Sequence, residues 1–204
     1  MDVIELIKKD HDKVEELFAR YNGGGGLTGL VKRVTGAVSP RTKRSAVEAI
    51  CRELDIHARV EEEIFYPRLE ATGDPNLKWM VNESLGEHAT VKEHVAVLRE
   101  GRLEGDELDN RVSALQSCVD HHVNEEESEM LPRVEQLIAA EERADLGKRV
   151  QARKRALAGR TATARATRKR SAARSAATQR GRKSAAAKVA RRKKRARGRA
   201  QRRK

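Results

Sequence analysis

The chain has 204 residues, enough for one well-packed core and an appendage, and its net charge of +13 is divided very unevenly. Residues 151–204 hold 23 of the 44 Lys/Arg and none of the 31 Asp/Glu, which leaves residues 1–150 with 21 basic and 31 acidic side chains, a net charge of −10. Two cysteines, Cys51 and Cys118, stand far apart with no Cys-x-x-Cys, which excludes a zinc ribbon and argues for buried free thiols rather than a disulfide framework.

The first element expected is a helix from Asp2 to Tyr21. Val3, Ile7, His11, Val14 and Phe18 step by four, four, three and four, so a histidine lies inside an apolar stripe. This start has no signal-peptide apolar region, and no stretch approaches the ~20 apolar residues of a membrane span. The expectation is a cytoplasmic protein with no membrane partner. Asn22 and four glycines end the helix. Leu27, Leu30, Val31 and Val34 could form a short amphipathic turn before Ser39-Pro40, a cap-plus-proline start for a second helix.

In that second helix Val47, Ile50, Leu54, His57, Glu61 and Ile64 keep the three-four spacing, and Pro67 is expected to end or kink it. Asp74-Pro75 opens a third helix with Val81, Leu85, His88, Val91, Val95 and Leu98 inward. His94 falls about 240° beyond His88 around the axis and is expected to point elsewhere. Gly101 and Gly105 bracket a turn, Asp106 is the expected cap of a fourth helix, and Leu108, Val112, Leu115, Val119, His122, Glu126 and Met130 form its stripe. His121 lies one position off that stripe, which suggests a surface or supporting role. The helix is expected to resume after Pro132 and fade near Asp145.

One pattern occurs twice, 65 residues apart: His57-x-x-x-Glu61-Glu62 with Pro67, and His122-x-x-x-Glu126-Glu127 with Pro132. Residues four apart on a helix share a face, so each motif offers an imidazole and a carboxylate to one point. With His11 and His88, six ligand-type side chains fall at core positions of four helices. A buried carboxylate without a partner is very costly, so two of them among imidazoles make sense mainly around cations. Imidazole and carboxylate without thiolate suit iron or manganese, and zinc less specifically. The Glu-x-x-His pattern of ferritin-like sites is absent.

His11, His57-x-x-x-Glu61, His88 and His122-x-x-x-Glu126 together resemble the hemerythrin HHE cation-binding family, over residues 1 to about 140. The resemblance implies an up-down-up-down four-helix bundle, all-α, and two non-haem iron ions with the glutamates bridging and the histidines terminal. It departs from the oxygen carriers of the family at Lys92, where they have a second third-helix histidine, and in the spacing of the fourth-helix acid. His94, Glu87 or water would have to complete the set. An open coordination position favours iron-dependent sensing of O2, NO or peroxide, redox protection or iron handling over reversible oxygen carriage. The rival readings are a di-iron peroxidase or catalase, and a nucleoid-packing protein with the bundle as its anchor.

The domain reading is a bundle over 1–141 and a disordered Lys/Arg/Ala-rich tail over 142–204. The tail is too poor in apolar residues to offset its ordering entropy. Its runs Arg168-Lys169-Arg170 and Arg191-Arg192-Lys193-Lys194-Arg195 resemble linker-histone tails and match no base-reading motif. Such charge density attracts DNA or RNA through phosphate without sequence preference, which would associate the protein with the nucleoid.

Overall fold

The computed structural model describes residues 1–24 and 39–159, and every element among them is helical. The first helix is Val3–Tyr21. The second runs through three contiguous pieces: Pro40–Val60, a π-helical turn Glu61–Phe65, and Tyr66–Glu70. The third is Pro75–Glu100. The fourth repeats the composite build as Gly105–Glu125, a π-helical turn Glu126–Met130, and Leu131–Leu137. The first packs on the second, the second on the third and the third on the fourth, giving a four-helix bundle.

The starts follow local chemistry. Asp2, Ser39 and Asp74 each accept a hydrogen bond from the first-turn backbone, to Ile4, Thr42 and Leu77 at 3.0, 3.3 and 2.9 Å. Gly101 ends the third helix in the left-handed region at φ 69°, which a side chain would disfavour. The fourth helix differs from expectation: it begins at Gly105 after Glu104, with no side-chain cap, so Asp106 lies inside the first turn, where its charge complements the helix dipole.

Neither proline ends its helix. Pro67 has no N–H, and its ring would press on the carbonyl one turn back. The chain absorbs both by widening that turn, and the Tyr66 N–H bonds to the Glu61 carbonyl five residues earlier. Leu131 bonds to Glu126 in the same way before Pro132. Each widened turn begins on the motif glutamate.

The expected stripes are buried, with three exceptions. Ile64 and Leu108 are half-buried, and on the third helix Ser84 (5 % exposed) faces inward in place of Leu85 (39 %). Steps of three-then-four and four-then-three are equally helical, and Ser84 hydrogen-bonds the buried Tyr66 hydroxyl, which leucine could not do. An apolar cluster including Phe18, Ile50, Leu54, Val95 and Leu115 fills one part of the bundle. Another group, with Phe65, Leu69, Leu77, Met130 and Val134, is also fully buried. Cys51 is buried and free, its thiol pushed up to about 11 by burial, and Cys118 is half-buried and free.

The fourth helix stops at Leu137, and Ile138 is extended. A fifth helix then covers 140–159, so the expected boundary at 141/142 falls inside it, and 142–159 are helical rather than disordered. Composition alone hid this, because the helix docks through only a few apolar residues and through charge. Leu146 and Val150 are buried, Arg143 pairs with Asp2 at 2.9 Å, and Arg153 pairs with Glu63 at 2.6 Å. Gly147 lies so close to the Met1 carbonyl that a side chain there would collide with it. The amphipathic turn proposed near Leu27–Val34 and the basic runs 168–170 and 191–195 lie outside the described residues.

Leu115 is fully buried in the apolar cluster, whereas Leu137 is 46 % exposed. Leu115→Ala is expected to cost about 2–5 kcal/mol, and Leu137→Ala about 0.5 kcal/mol or less. Denaturant midpoints of the two variants check the assignment of core and surface.

Candidate metal centre

The four inward histidines sit at one level, each from a different helix. Ring centroids of His11 and His57 are 4.9 Å apart, those of His88 and His122 4.7 Å. Glu61 is fully buried, with Oε2 3.1 Å from His57 Nε2 and 3.3 Å from His88 Nε2. Glu126 Oε2 lies 3.2 Å from His11 Nε2 and 3.9 Å from His122 Nε2. Two overlapping groups of four result: His57, Glu61, His88 and His122, and His11, His57, Glu61 and Glu126.

On the inner side of this cluster three buried atoms, His11 Nε2, Glu61 Oε1 and Glu126 Oε2, have no hydrogen-bond partner, and on its outer side His57 Nδ1 has none. Unpaired buried lone pairs carry a large desolvation cost, and a cation between them would remove it. The donor set, four imidazoles and two carboxylates with no sulfur, suits a first-row cation.

Burial and the charge of Glu126 push the Glu61 carboxyl well above the ordinary range. Burial would raise Glu126 too, but the contact with His11 and the charges of His122 and His11 outweigh it and hold it near about 2. Burial would lower His11, but its contacts with Glu126 and Glu127 raise it to about 9, whereas burial lowers His57 to about 4.

Behind the cluster lies a feature that the sequence reading missed. Each histidine turns its Nδ1 toward a carboxylate of a neighbouring helix. His88 donates to Glu62 at 3.0 Å, His122 to Glu87 at 2.8 Å and His11 to Glu127 at 2.7 Å, while His57 faces Asp10 at an ion-pair distance of 3.9 Å. The carboxylates come from the second, third, fourth and first helix in turn, so the four pairs close a ring around the bundle. The three hydrogen-bonded partners fix the tautomers of His11, His88 and His122, leaving each Nε2 free to face inward, whereas His57 Nδ1 is only within ion-pair range of Asp10. A signal was present: each supporting acid is adjacent in sequence to a cluster residue (Asp10–His11, Glu61–Glu62, Glu87–His88, Glu126–Glu127). A helical neighbour points about 100° away, toward the next helix.

Two lysines complete the ring. Lys92 is half-exposed and binds Glu62 at 2.5 and 2.7 Å. It therefore points away from the cluster and supports His88 indirectly. Lys154, on the fifth helix, pairs with Asp10. Neither Glu87 nor His94 joins the inner cluster. Tyr66 is buried, its hydroxyl 3.4 Å from Glu61 Oε2 and 3.3 Å from Glu126 Oε1. A cavity of about 10 Å³ lies against the four histidines, walled by residues that include Val14, Leu54, Val91, Val119 and Val123.

The family model for the hemerythrin HHE cation binding domain matches residues 2–134. The chain belongs to this family. Among curated relatives, the uncharacterised proteins Rv2633c of Mycobacterium tuberculosis and Mb2666c of Mycobacterium bovis are each 27 % identical over 107 residues. Each match covers 52 % of this chain and 63 % of the relative's length. The crystal structure of an HHE domain-containing homologue of Rv2633c from Mycobacterium kansasii superposes with a TM-score of 0.62 at 21 % identity, covering 78 % of this chain and 88 % of that one. This last likeness establishes the HHE fold. No described helix is long and apolar enough to cross a membrane.

In this HHE chain the carboxylate ring makes a specific demand. Glu62→Gln, which keeps the shape and loses the charge, is expected to weaken cation binding roughly 10- to 100-fold. Competition against a chelator of known affinity measures it, and an unchanged affinity would remove the ring from the site.

Proposed function

We propose that this HHE domain is a non-haem di-iron protein serving iron-dependent sensing of O2, NO or peroxide, or redox protection, and that its basic tail holds it on nucleic acid. The observation carrying the reading is the convergence of His11, His57, His88, His122, Glu61 and Glu126, each imidazole braced from behind. These four histidines and two glutamates would hold the ions. The same donors would accept manganese or zinc. When bound, an iron pair supplies one- and two-electron chemistry toward a small oxygen or nitrogen ligand.

The remaining residues shape that chemistry. The apolar wall of the cavity excludes bulk water, and a volume near one water molecule restricts the ligand to diatomic or peroxide size. Lys92 is engaged with Glu62 and supplies no seventh ligand, which argues against stable oxygen carriage. Tyr66 favours a second reading, peroxide turnover. Burial and the two glutamate charges push its phenol well above its usual range, so it stays protonated and its hydroxyl offers a hydrogen bond beside the carboxylates.

Reconstitution with ferrous iron in the absence of air is expected to leave two ions per chain after a brief chelator wash. Admission of air should then yield a ferric form without a stable oxy complex. Metal analysis and the visible spectrum check both; absence of iron, or a reversible oxy spectrum over many cycles, would refute the reading.

The tail proposal rests on charge. If about eight Lys/Arg meet phosphates at once, log affinity for duplex DNA is expected to fall against log salt with a slope near −7, with little sequence preference. The informative truncation removes 160–204, because a cut at 148 would also take Lys154 from Asp10 and Val150 from its buried position. The truncated protein should lose DNA binding and keep its iron. Salt titrations on two unrelated duplexes, with full-length and truncated protein, decide the matter.

A further inference from the structure

Of the four supporting carboxylates, Glu127 contacts only His11 among the described residues, and the other three have outer partners that can be compared. Asp10 pairs with Lys154 and Glu62 with Lys92. Glu87 pairs with no lysine or arginine among the described residues. Its Oε2 accepts from His122, and its Oε1 faces His121 Nε2 at 3.3 Å. His121 Nε2 in turn lies 3.3 Å from Glu125 Oε1. Where the other two positions have an ammonium, this one has an imidazole and a second carboxylate.

The three side chains meet as a chelate. His121 and Glu125 are four apart on the fourth helix and share a face, and Glu87 reaches across from the third helix. The 65-residue repeat does not require them. The corresponding positions of the second helix are Ile56 and Val60, both buried and apolar. The fourth helix instead exposes this face, with the His121 side chain 64 % accessible, Glu125 42 % and Glu87 18 %.

We propose that Glu87, His121 and Glu125 form a third, separate cation site on the bundle surface, for an exchangeable divalent first-row ion. One imidazole nitrogen and two carboxylate oxygens make a three-donor set of the kind that zinc, ferrous iron or manganese accepts, with water completing the coordination. The ion replaces the positive charge that lysines supply beside Asp10 and Glu62. Because Glu87 also accepts from His122 Nδ1, the surface site shares one residue with the supporting ring, while none of its three ligands belongs to the inner cluster.

The test uses the full chain and zinc as the probe. Equilibrium dialysis with metal analysis is run on wild type, His121→Ala, Glu125→Gln and, as a control, His94→Ala, with far-UV circular dichroism confirming the fold. Wild type and His94→Ala are expected to bind one more zinc per chain than either His121→Ala or Glu125→Gln, and a brief chelator wash should remove that ion first. The result is a difference between variants, so it stands whether or not the inner cluster holds iron. Equal zinc content in wild type and both site variants overturns the proposal, as does loss of the extra ion in His94→Ala alone.

Discussion

Two glutamates with almost no access to water, set among four imidazoles, are the constraint on which this bundle depends. Neither carboxylate could be placed there without compensation, because desolvating a charge costs several kcal/mol even after relaxation. The compensation is built from all four helices at once. Glu61 contacts histidines of the second and third helices, and Glu126 contacts those of the first and fourth. The helices are therefore tied at this level by polar geometry as well as by apolar packing.

The ring of supporting carboxylates extends that logic outward. An imidazole offers two nitrogens, and orienting one inward requires a partner for the other. Each partner comes from a different helix than its histidine, so a shift of any one helix disturbs two pairs. The π-helical turns contribute here. By starting at Glu61 and Glu126 they widen the backbone where one glutamate must face the core and the next must reach a neighbouring helix. The prolines that follow these turns, Pro67 and Pro132, lie one residue beyond each widened segment's closing bond.

Charge organises the periphery. The bundle is acidic and the following segment is basic, and part of that opposition is satisfied within the described fold. The fifth helix brings Arg143, Arg153 and Lys154 onto Asp2, Glu63 and Asp10. The first residues of the cationic segment therefore belong to the metal-centre architecture, and the polyanion-binding role proposed above falls to the residues beyond 159.

Much of this was legible in the chain. Periodicity located four helices and their inward faces, because helix formation and burial there are governed by local spacing. The twofold His-x-x-x-Glu motif marked the cluster, because an i, i+4 pair must share a face. What tertiary structure alone decided was everything that depends on contact between helices. Ser84 and Leu85 were equally compatible with the third-helix period, and the inward serine meets the hydroxyl of Tyr66 on a different helix. Lys92 was readable as a missing ligand, but its engagement with Glu62 required the second helix beside it. The ring of acids was written next to the cluster residues, yet its closure follows from helix order around the bundle. The fifth helix was hidden because its burial rests on few apolar residues, and its ion pairs join positions up to 144 residues apart. Spacing along a chain fixes which side chains share a face; which faces meet is a property of the packed bundle.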